Sequence, residues 1–490
     1  MAILDSPSVV GGTCFTIDAN SGVFTPANTP HSTRSSNSFD DPSSVNLSIL
    51  ENDASMLIAV VGIGFRGPGD ATNVEKLWAM IREGREAWTE IHRWNSSAFY
   101  HPDPSRHGTI NVKGGHSLQE DVALFDAPFL NMTGDEAAAM DPQQRLLLEV
   151  TYEALESAGI TLPSIAGSRT SCFVGSFNAD YTDLLLRDPD CIPMYQFLSP
   201  EGRCRAFDED ADGYARGEAI GCLILKPLRD AIRYGDPIRA IIRGTASKQD
   251  GRTTGITLPN GAAQESLIRH VYESSGLNPR DTEFVEAHGT GTKAGDPIEA
   301  EALAKTFGPR PHDKPLRVGS LKTNIGHLEG TSGIAGVIKG ILMLERRMFL
   351  PNRNFRRLNT RIMAKEWNLK IQLYYEPWES LGAHRVSVNS FGYGGSNAHA
   401  ILEDPWGYLS ERKLIAAVRV QKPSSGAPTD PHVTPRQRAF MLSAFDETSM
   451  SNQVQRLQAF LDGYADKTTD TWMADLAFTL NERRTSTYIE

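Results

Sequence analysis

The chain is short of cysteine, of long apolar runs and of basic charge, and each shortage narrows what it can be. Five cysteines occur in 490 residues: Cys14, Cys172, Cys191, Cys204 and Cys222. The number is odd and no two stand in CxxC spacing. This argues against a disulfide scaffold or a metal site and fits reduced thiols in a cytoplasmic protein. No apolar run is long enough to span a bilayer, and the most apolar helical stretch, 334–344, is interrupted by Lys339 and Gly340. The N-terminus lacks a basic region followed by an apolar one, so no secretory signal is expected. Lys and Arg number 49 against 60 Asp and Glu, a net charge of −11. Neither nucleic acid nor an anionic membrane surface is an expected partner for so acidic a chain.

What remains has a soluble globular composition with a clear order along the chain. Residues 1–56 are rich in Ser, Asn, Thr, Pro and Asp without apolar periodicity, and are expected to be disordered. The run from Leu57 to Gly64 reads as a strand entering a tight turn. Its glycines, Gly62, Gly64, Gly67 and Gly69, do not match the dinucleotide spacing GxGxxG. A helix is expected from Pro142, capped by Asp141 and ended by Gly159. Cys172-Phe173-Val174-Gly175 reads as the next buried strand. Apolar residues at Ile334, Val337, Ile338, Ile341 and Leu342 have helical spacing, and Gly333, Gly336 and Gly340 suit a buried helix. Strands are expected near 240–242, 283–285 and 385–388. Strands alternating with helices indicate an α/β layered fold. Residues 411–436 read as a linker, and 437–490 as a further small α/β unit.

Three motifs carry the chemistry. They are Val285-Glu286-Ala287-His288-Gly289-Thr290-Gly291-Thr292, Gly319-Ser320-Leu321-Lys322-Thr323-Asn324-Ile325-Gly326-His327, and Ser390-Phe391-Gly392-Tyr393-Gly394-Gly395-Ser396-Asn397-Ala398-His399. Singly, each is a common loop or turn. In this order and spacing they resemble the β-ketoacyl synthase (ketosynthase) region of fungal highly reducing type I polyketide synthases. The resemblance covers about residues 57–410 and implies a thiolase-like layered αβαβα fold. Residues 57–196 and 197–410 would form its two halves, and 437–490 would begin the linker domain between ketosynthase and acyltransferase. Neither a GxSxG nucleophile elbow nor a carrier-protein serine motif is found.

The family reaction is a decarboxylative Claisen condensation of malonyl-carrier protein with an acyl-cysteine, in secondary-metabolite biosynthesis. The resemblance implies that His288 and His327 donate hydrogen bonds to the malonyl carbonyl and stabilise the enolate. A neutral imidazole can do so through Nε2–H if its other nitrogen finds an acceptor. Lys322 would support the electrostatics. Thr290 and Thr292 would bind the phosphopantetheine arm of an acyl carrier protein, with Gly289 and Gly291 admitting that arm to the backbone. Phe391 would gate the acyl pocket and offer its backbone N–H to an oxyanion, and Asn397 would hold the loop. The implied partners are the carrier protein, malonyl and acyl thioesters, and a second copy in a homodimer. No covalently bound cofactor is implied.

One part of the resemblance is missing. The family nucleophile lies in a strand-to-helix turn of the type Asp-Thr-Ala-Cys-Ser, where the helix N-terminus favours the thiolate. No cysteine here has that context. The family pattern runs to Met194-Tyr195-Gln196 and resumes at Phe197-Leu198-Ser199-Pro200, without the nucleophile elbow, its helix, a central strand and the edge strand that pairs across the dimer. The N-terminal half is therefore expected to be incomplete, with apolar faces uncovered. Condensation is not expected. Residual malonyl-thioester decarboxylation and a non-catalytic partnership with a synthase remain the alternatives.

Overall fold

The computed structural model describes residues 57–103, 106–130, 132–166, 168–176, 198–251, 253, 258–380, 382–392, 395–414, 416, 438–444, 446–464 and 470–484, together with strand segments 14–17 and 24–26. In chain order the first elements are strands β1 (Cys14–Ile17), β2 (Phe24–Pro26) and β3 (Ile58–Arg66), then helices α1 (Val74–Arg82) and α2 (Pro142–Ala158). Strands β4 (Ile220–Pro227) and β5 (Ala240–Gln249), helix α3 (Gly261–Ser274), strand β6 (Phe284–Glu286) and helix α4 (Gly295–Phe307) follow. Next come strand β7 (Leu316–Gly319), the short helix α5 (Lys322–Ile325) and helix α6 (Ser332–Arg346). Strands β8 (Leu369–Ile371), β9 (Arg385–Phe391) and β10 (Ser396–Glu403) and helix α7 (Pro405–Glu411) complete the main body. Strand β11 (Ala439–Met441) and helices α8 (Glu447–Gly463) and α9 (Asp470–Glu482) have their own small core around Phe440, Leu457 and Leu480.

One sheet of order β8–β7–β6–β9–β10–β5–β3–β4 forms the body. β8, β7, β6 and β9 are mutually parallel, and every remaining neighbour pair is antiparallel. Residues 57–196 and 197–410 join in this single sheet because β3 of the first hydrogen-bonds to β4 and β5 of the second. Helices cover both faces. Ile338, Ile341 and Leu342 of α6 pack with Ile63, Phe65, Phe284 and Val388 on one face. Leu267 and Val271 of α3 and Leu303 of α4 pack with Val285 and Val318 on the other.

Local sequence sets the helix limits. Asp141 accepts the Gln143 N–H at 2.8 Å, Pro142 occupies the first turn, and Gly159 closes α2 at φ +65°. The glycines of β3 have a different role from the expected turn. The strand continues to Arg66, and Gly62 and Gly64 lie within it. A Cβ on either would stand 2.2 Å from a backbone oxygen of α2, that of Ala154 or Val150. The missing side chains let the helix rest directly on the strand.

Two expectations are corrected. Ser171–Ser176 forms no strand; Phe173 is 93% exposed and Val174 64% exposed. A β-prone sequence needs a neighbouring strand to satisfy its backbone, and β3 has both edges taken, by β4 and β5. Cys222, read as a small core residue, is only half-buried, since β4 is the last strand of the sheet among the described residues. In the segment expected to be disordered, β1 pairs with β11 and with β2. The Gln196–Phe197 junction, Cys191 and most of the 411–436 linker lie outside the described residues.

Candidate active site

The parallel strands β7, β6 and β9 are neighbours, and all three motifs begin at their carboxyl ends. In open α/β sheets this is where a crevice forms. His288 follows β6, Lys322 and His327 follow β7, and Phe391 ends β9. The imidazole centroids of His288 and His327 are 5.5 Å apart with the rings nearly perpendicular, and the Phe391 ring lies 5.9 Å from His288.

Hydrogen bonds fix both tautomers. Nδ1 of His288 accepts the backbone N–H of Phe391 at 3.2 Å, and Nδ1 of His327 accepts that of Glu329 at 3.0 Å. A backbone N–H can only donate, so each Nδ1 is bare and each proton sits on Nε2. The acceptor expected for the second ring nitrogen is thus a donor. The Phe391 N–H, expected to serve an oxyanion, here donates to His288 Nδ1.

Burial pushes both imidazoles well below their ordinary pKa, and the nearby Lys322 cation adds to the shift. Lys322 is itself buried rather than a solvated surface charge, and burial lowers its pKa against the opposing pull of Glu286 and Glu299. The neutral state has a consequence for stability. An unfolded histidine gains a proton below about pH 6.5, whereas these two do not. Each therefore contributes stability that is complete above pH 6.5 and lost as pH falls below it, at up to about 1.4 kcal/mol per pH unit. His399, buried and lowered to about 3, acts in the same direction. Asp296, raised by burial to about 7, acts oppositely, because its folded form holds a proton that the unfolded form releases above about pH 4. Glu153, Glu299 and Glu329 are also raised by burial and act with Asp296; against these carboxyls the three histidines should give a net loss of unfolding free energy from pH 6.5 to 5, measurable by urea titration at each pH.

The carboxylates behind the histidine loop were not singled out from the sequence. Glu299 accepts the N–H groups of His288 at 2.8 Å and Gly289 at 2.9 Å, and the Asn389 amide at 2.9 Å. Asp296 accepts the N–H groups of Phe207 at 2.6 Å, Gly291 at 3.2 Å and Thr292 at 3.4 Å. Both acids lie in the early turns of α4, and their i, i+3 spacing after the His-Gly-Thr-Gly-Thr loop was the available signal. Thr290 is buried, with its hydroxyl 3.4 Å from that of Thr292, which accepts the Gly295 N–H at 3.2 Å at the start of α4. Gly289 and Gly291 do not open the backbone to an incoming arm. A Cβ on Gly291 would meet the Arg205 backbone at 2.6 Å, and one on Gly289 would meet Ser320 at 2.7 Å.

Asn397 pairs across the hairpin with Phe391, and its buried amide donates to Asp250 Oδ1 at 2.7 Å. It holds the end of β10 and lies away from the two imidazoles in the hydrogen-bond scheme. Cys204 is fully buried; its sulfur accepts the Ala215 N–H at 3.2 Å, and burial pushes its thiol up to about 12.

Sequence comparison agrees with this geometry. Residues 56–195 and 190–231 match the "Beta-ketoacyl synthase, N-terminal domain", and 239–356 match the C-terminal domain. A "Ketoacyl-synthetase C-terminal extension" matches 359–483. A ketosynthase from module 6 of the bacillaene synthase of Bacillus subtilis superposes with a TM-score of 0.73 at 30% identity, covering 88% of this chain and 81% of its own. The chain belongs to the β-ketoacyl synthase family. Its α/β architecture is that of the thiolase-like ketosynthases. The oxazolomycin ketosynthase OzmH KS7 from Streptomyces albus matches with a TM-score of 0.71 at 28% identity, over 87% of this chain and 83% of its own. Among curated relatives, the highly reducing polyketide synthase tstA of Talaromyces stipitatus is 48% identical over 89% of this chain. The synthase phiA of a fungal species is 45% identical over 88%. The chain spans about a fifth of the length of these relatives, 20% and 21%, and corresponds to their ketosynthase region. The tstA alignment has 516 positions, yet 89% of 490 residues is about 436, so about 80 positions of the relative face no residue here.

Proposed function

We propose that this chain decarboxylates a malonyl thioester carried on the phosphopantetheine arm of an acyl carrier protein, and that it does not condense the product. The observation that carries this reading is the pair of neutral imidazoles whose Nδ1 atoms are both occupied by backbone N–H groups. Two Nε2–H donors are thereby held ready for the charge that develops on a thioester oxygen. As the bond between the α-carbon and the carboxylate breaks, its electron pair forms an enolate and carbon dioxide leaves. The two donors stabilise the enolate oxygen. A solvent proton on the α-carbon then gives the acetyl thioester. Thr290 and Thr292 bind the arm, Phe391 flanks the acyl group, Lys322 adds to the burial that keeps both imidazoles neutral, and Asn397 holds the β9–β10 hairpin.

Condensation needs an acyl-thioester on the protein as well. The break in the N-terminal family match near residue 190, and the roughly 80 unmatched positions of the relative, support loss of an internal segment that carries the nucleophile. Cys204 is no substitute, because a thiol buried and raised to about 12 supplies neither access nor thiolate. We place the reaction in the cytoplasm, where unpaired cysteines stay reduced.

The test incubates the chain with malonyl-pantetheine and with a malonyl-carrier protein, following carbon dioxide, acetyl thioester and intact protein mass. Acetyl thioester without an acylated chain is expected. No turnover would leave the non-catalytic reading, and a β-ketoacyl product would show that a nucleophile is present after all.

A further inference from the structure

His399 closes the third motif, and the proposed chemistry gives it no part. It stands on β10 directly across from Asn389 of β9, and both are buried. Its Nδ1 lies 2.7 Å from Asn389 Oδ1. An amide oxygen can only accept, so the proton of this ring sits on Nδ1. His399 is therefore the opposite tautomer to His288 and His327. Its Nε2 is a buried acceptor without a hydrogen-bond partner. The Tyr272 ring stands nearby, centroids 6.1 Å apart, but the Tyr272 hydroxyl is engaged with Thr282 and Ser387, each at 2.6 Å. A buried polar atom left unpaired costs stability, so a leucine at 399 would serve the core better. What Nδ1 does must account for the histidine.

From Nδ1 the hydrogen bonds run in one direction. With Oδ1 turned to His399, the Asn389 amide presents its NH2 to Glu299 and donates to Oε1 at 2.9 Å. The same carboxylate accepts the His288 N–H at 2.8 Å and the Gly289 N–H at 2.9 Å. Two residues further along β9, the Phe391 N–H donates to His288 Nδ1 at 3.2 Å. One strand thus fixes both the backbone and the ring of His288. A reversed Asn389 amide would set Oδ1 against the Glu299 carboxylate, acceptor against acceptor, and drive the two apart. We infer that His399 is a positioning residue for His288: its Nδ1–H orients the Asn389 amide, which helps hold the Glu299 carboxylate behind the His288 loop. The His327 loop is anchored separately, by Glu286 Oε1 on the Leu321 N–H at 2.6 Å. The catalytic consequence rests on the proposed decarboxylation; the placement of His288 does not.

The test uses the full chain labelled with ¹⁵N-histidine, with long-range ¹H–¹⁵N correlation spectra that distinguish the tautomers. Signals are assigned by their absence from His288→Ala, His327→Ala and His399→Leu. The wild-type chain should show His399 as Nδ1–H and the other two as Nε2–H. His399→Leu should displace the His288 ring signals and leave those of His327 in place. His399→Asn keeps an N–H near the position of Nδ1 and should return the His288 signals toward wild type. Should His399→Leu not fold, His399→Gln, whose amide sits at the Nε2 end and away from Asn389, takes its place. In decarboxylation, the loss of the Nδ1 donor should lower kcat by about tenfold or more, with KM little changed. Added to Asn389→Leu, it should cause no further loss, because His399 acts through Asn389. An Nε2–H form of His399 in the wild type, unmoved His288 signals once the donor is gone, or a double variant slower than Asn389→Leu overturns the inference. A displaced His288 in a chain without decarboxylase activity would uphold the inference and sink only the proposed function.

Discussion

Alanine in place of His327 should slow malonyl-thioester decarboxylation by roughly 10²- to 10³-fold, the usual cost of removing one preorganised oxyanion donor. The loss should appear in kcat, because the hydrogen bond strengthens only as charge builds on the thioester oxygen. His288→Ala should behave alike, since both rings present Nε2–H from neighbouring strand ends. The double replacement should cost less than the product of the two, because both donors act on one oxygen. His327→Gln keeps an N–H on a shorter side chain and should recover part of the rate. Each alanine also takes the Nδ1 acceptor from a backbone N–H, that of Phe391 or of Glu329, at a structural cost of about 1–3 kcal/mol. The His327 backbone bonds, N–H to Ala215 at 2.6 Å and C=O from the Gly217 N–H at 2.8 Å, do not involve the ring. Steady-state rates with malonyl-pantetheine decide the matter, and a loss below tenfold for both single variants would remove the imidazoles from the chemistry.

The largest stability effect should come from Glu286→Ala, about 3–5 kcal/mol. Glu286 ends β6 and is 3% exposed. Its Oε2 lies 2.6 Å from Nζ of Lys339, which is completely buried on α6, and its Oε1 accepts the Leu321 N–H at 2.6 Å. Removing the carboxylate strands the lysine charge in the core and frees the backbone N–H that anchors the loop bearing Lys322. Replacing both partners by apolar residues, as in Glu286→Leu with Lys339→Met, should cost less than the single change, because no buried charge is then left alone. Urea unfolding of the three chains tests this. A single variant within 1 kcal/mol of wild type would mean that water or another carboxylate replaces Glu286.

Much of the scaffold was readable from local chemistry. The cap, first-turn proline and terminal glycine of α2 lie together between residues 141 and 159. The apolar spacing of α6 and the strand sequences of β5, β6 and β9 are similarly local signals. The wrong readings were those that depended on a distant partner. Cys172–Gly175 has the composition of a buried strand and is exposed, because composition does not supply a neighbour with a free edge. Gly62 and Gly64 suggested a turn, and only the approach of α2 shows why they lack side chains.

For the site the division is similar. Composition, charge and the spacing of three motifs determined the family and singled out the histidine pair, since these depend on residue identity and order alone. The tertiary structure decided which atoms of those histidines carry protons. That choice depends on the N–H groups of Phe391 and Glu329 reaching Nδ1, one from 103 residues further along the chain and one across a left-handed backbone turn. It also decided that Lys322 is buried, that Glu286 anchors its loop, and that Glu299 and Asp296 hold the His288 loop. These residues meet only because β7, β6 and β9 pair in parallel, and long-range strand pairing is not encoded in any local stretch of sequence.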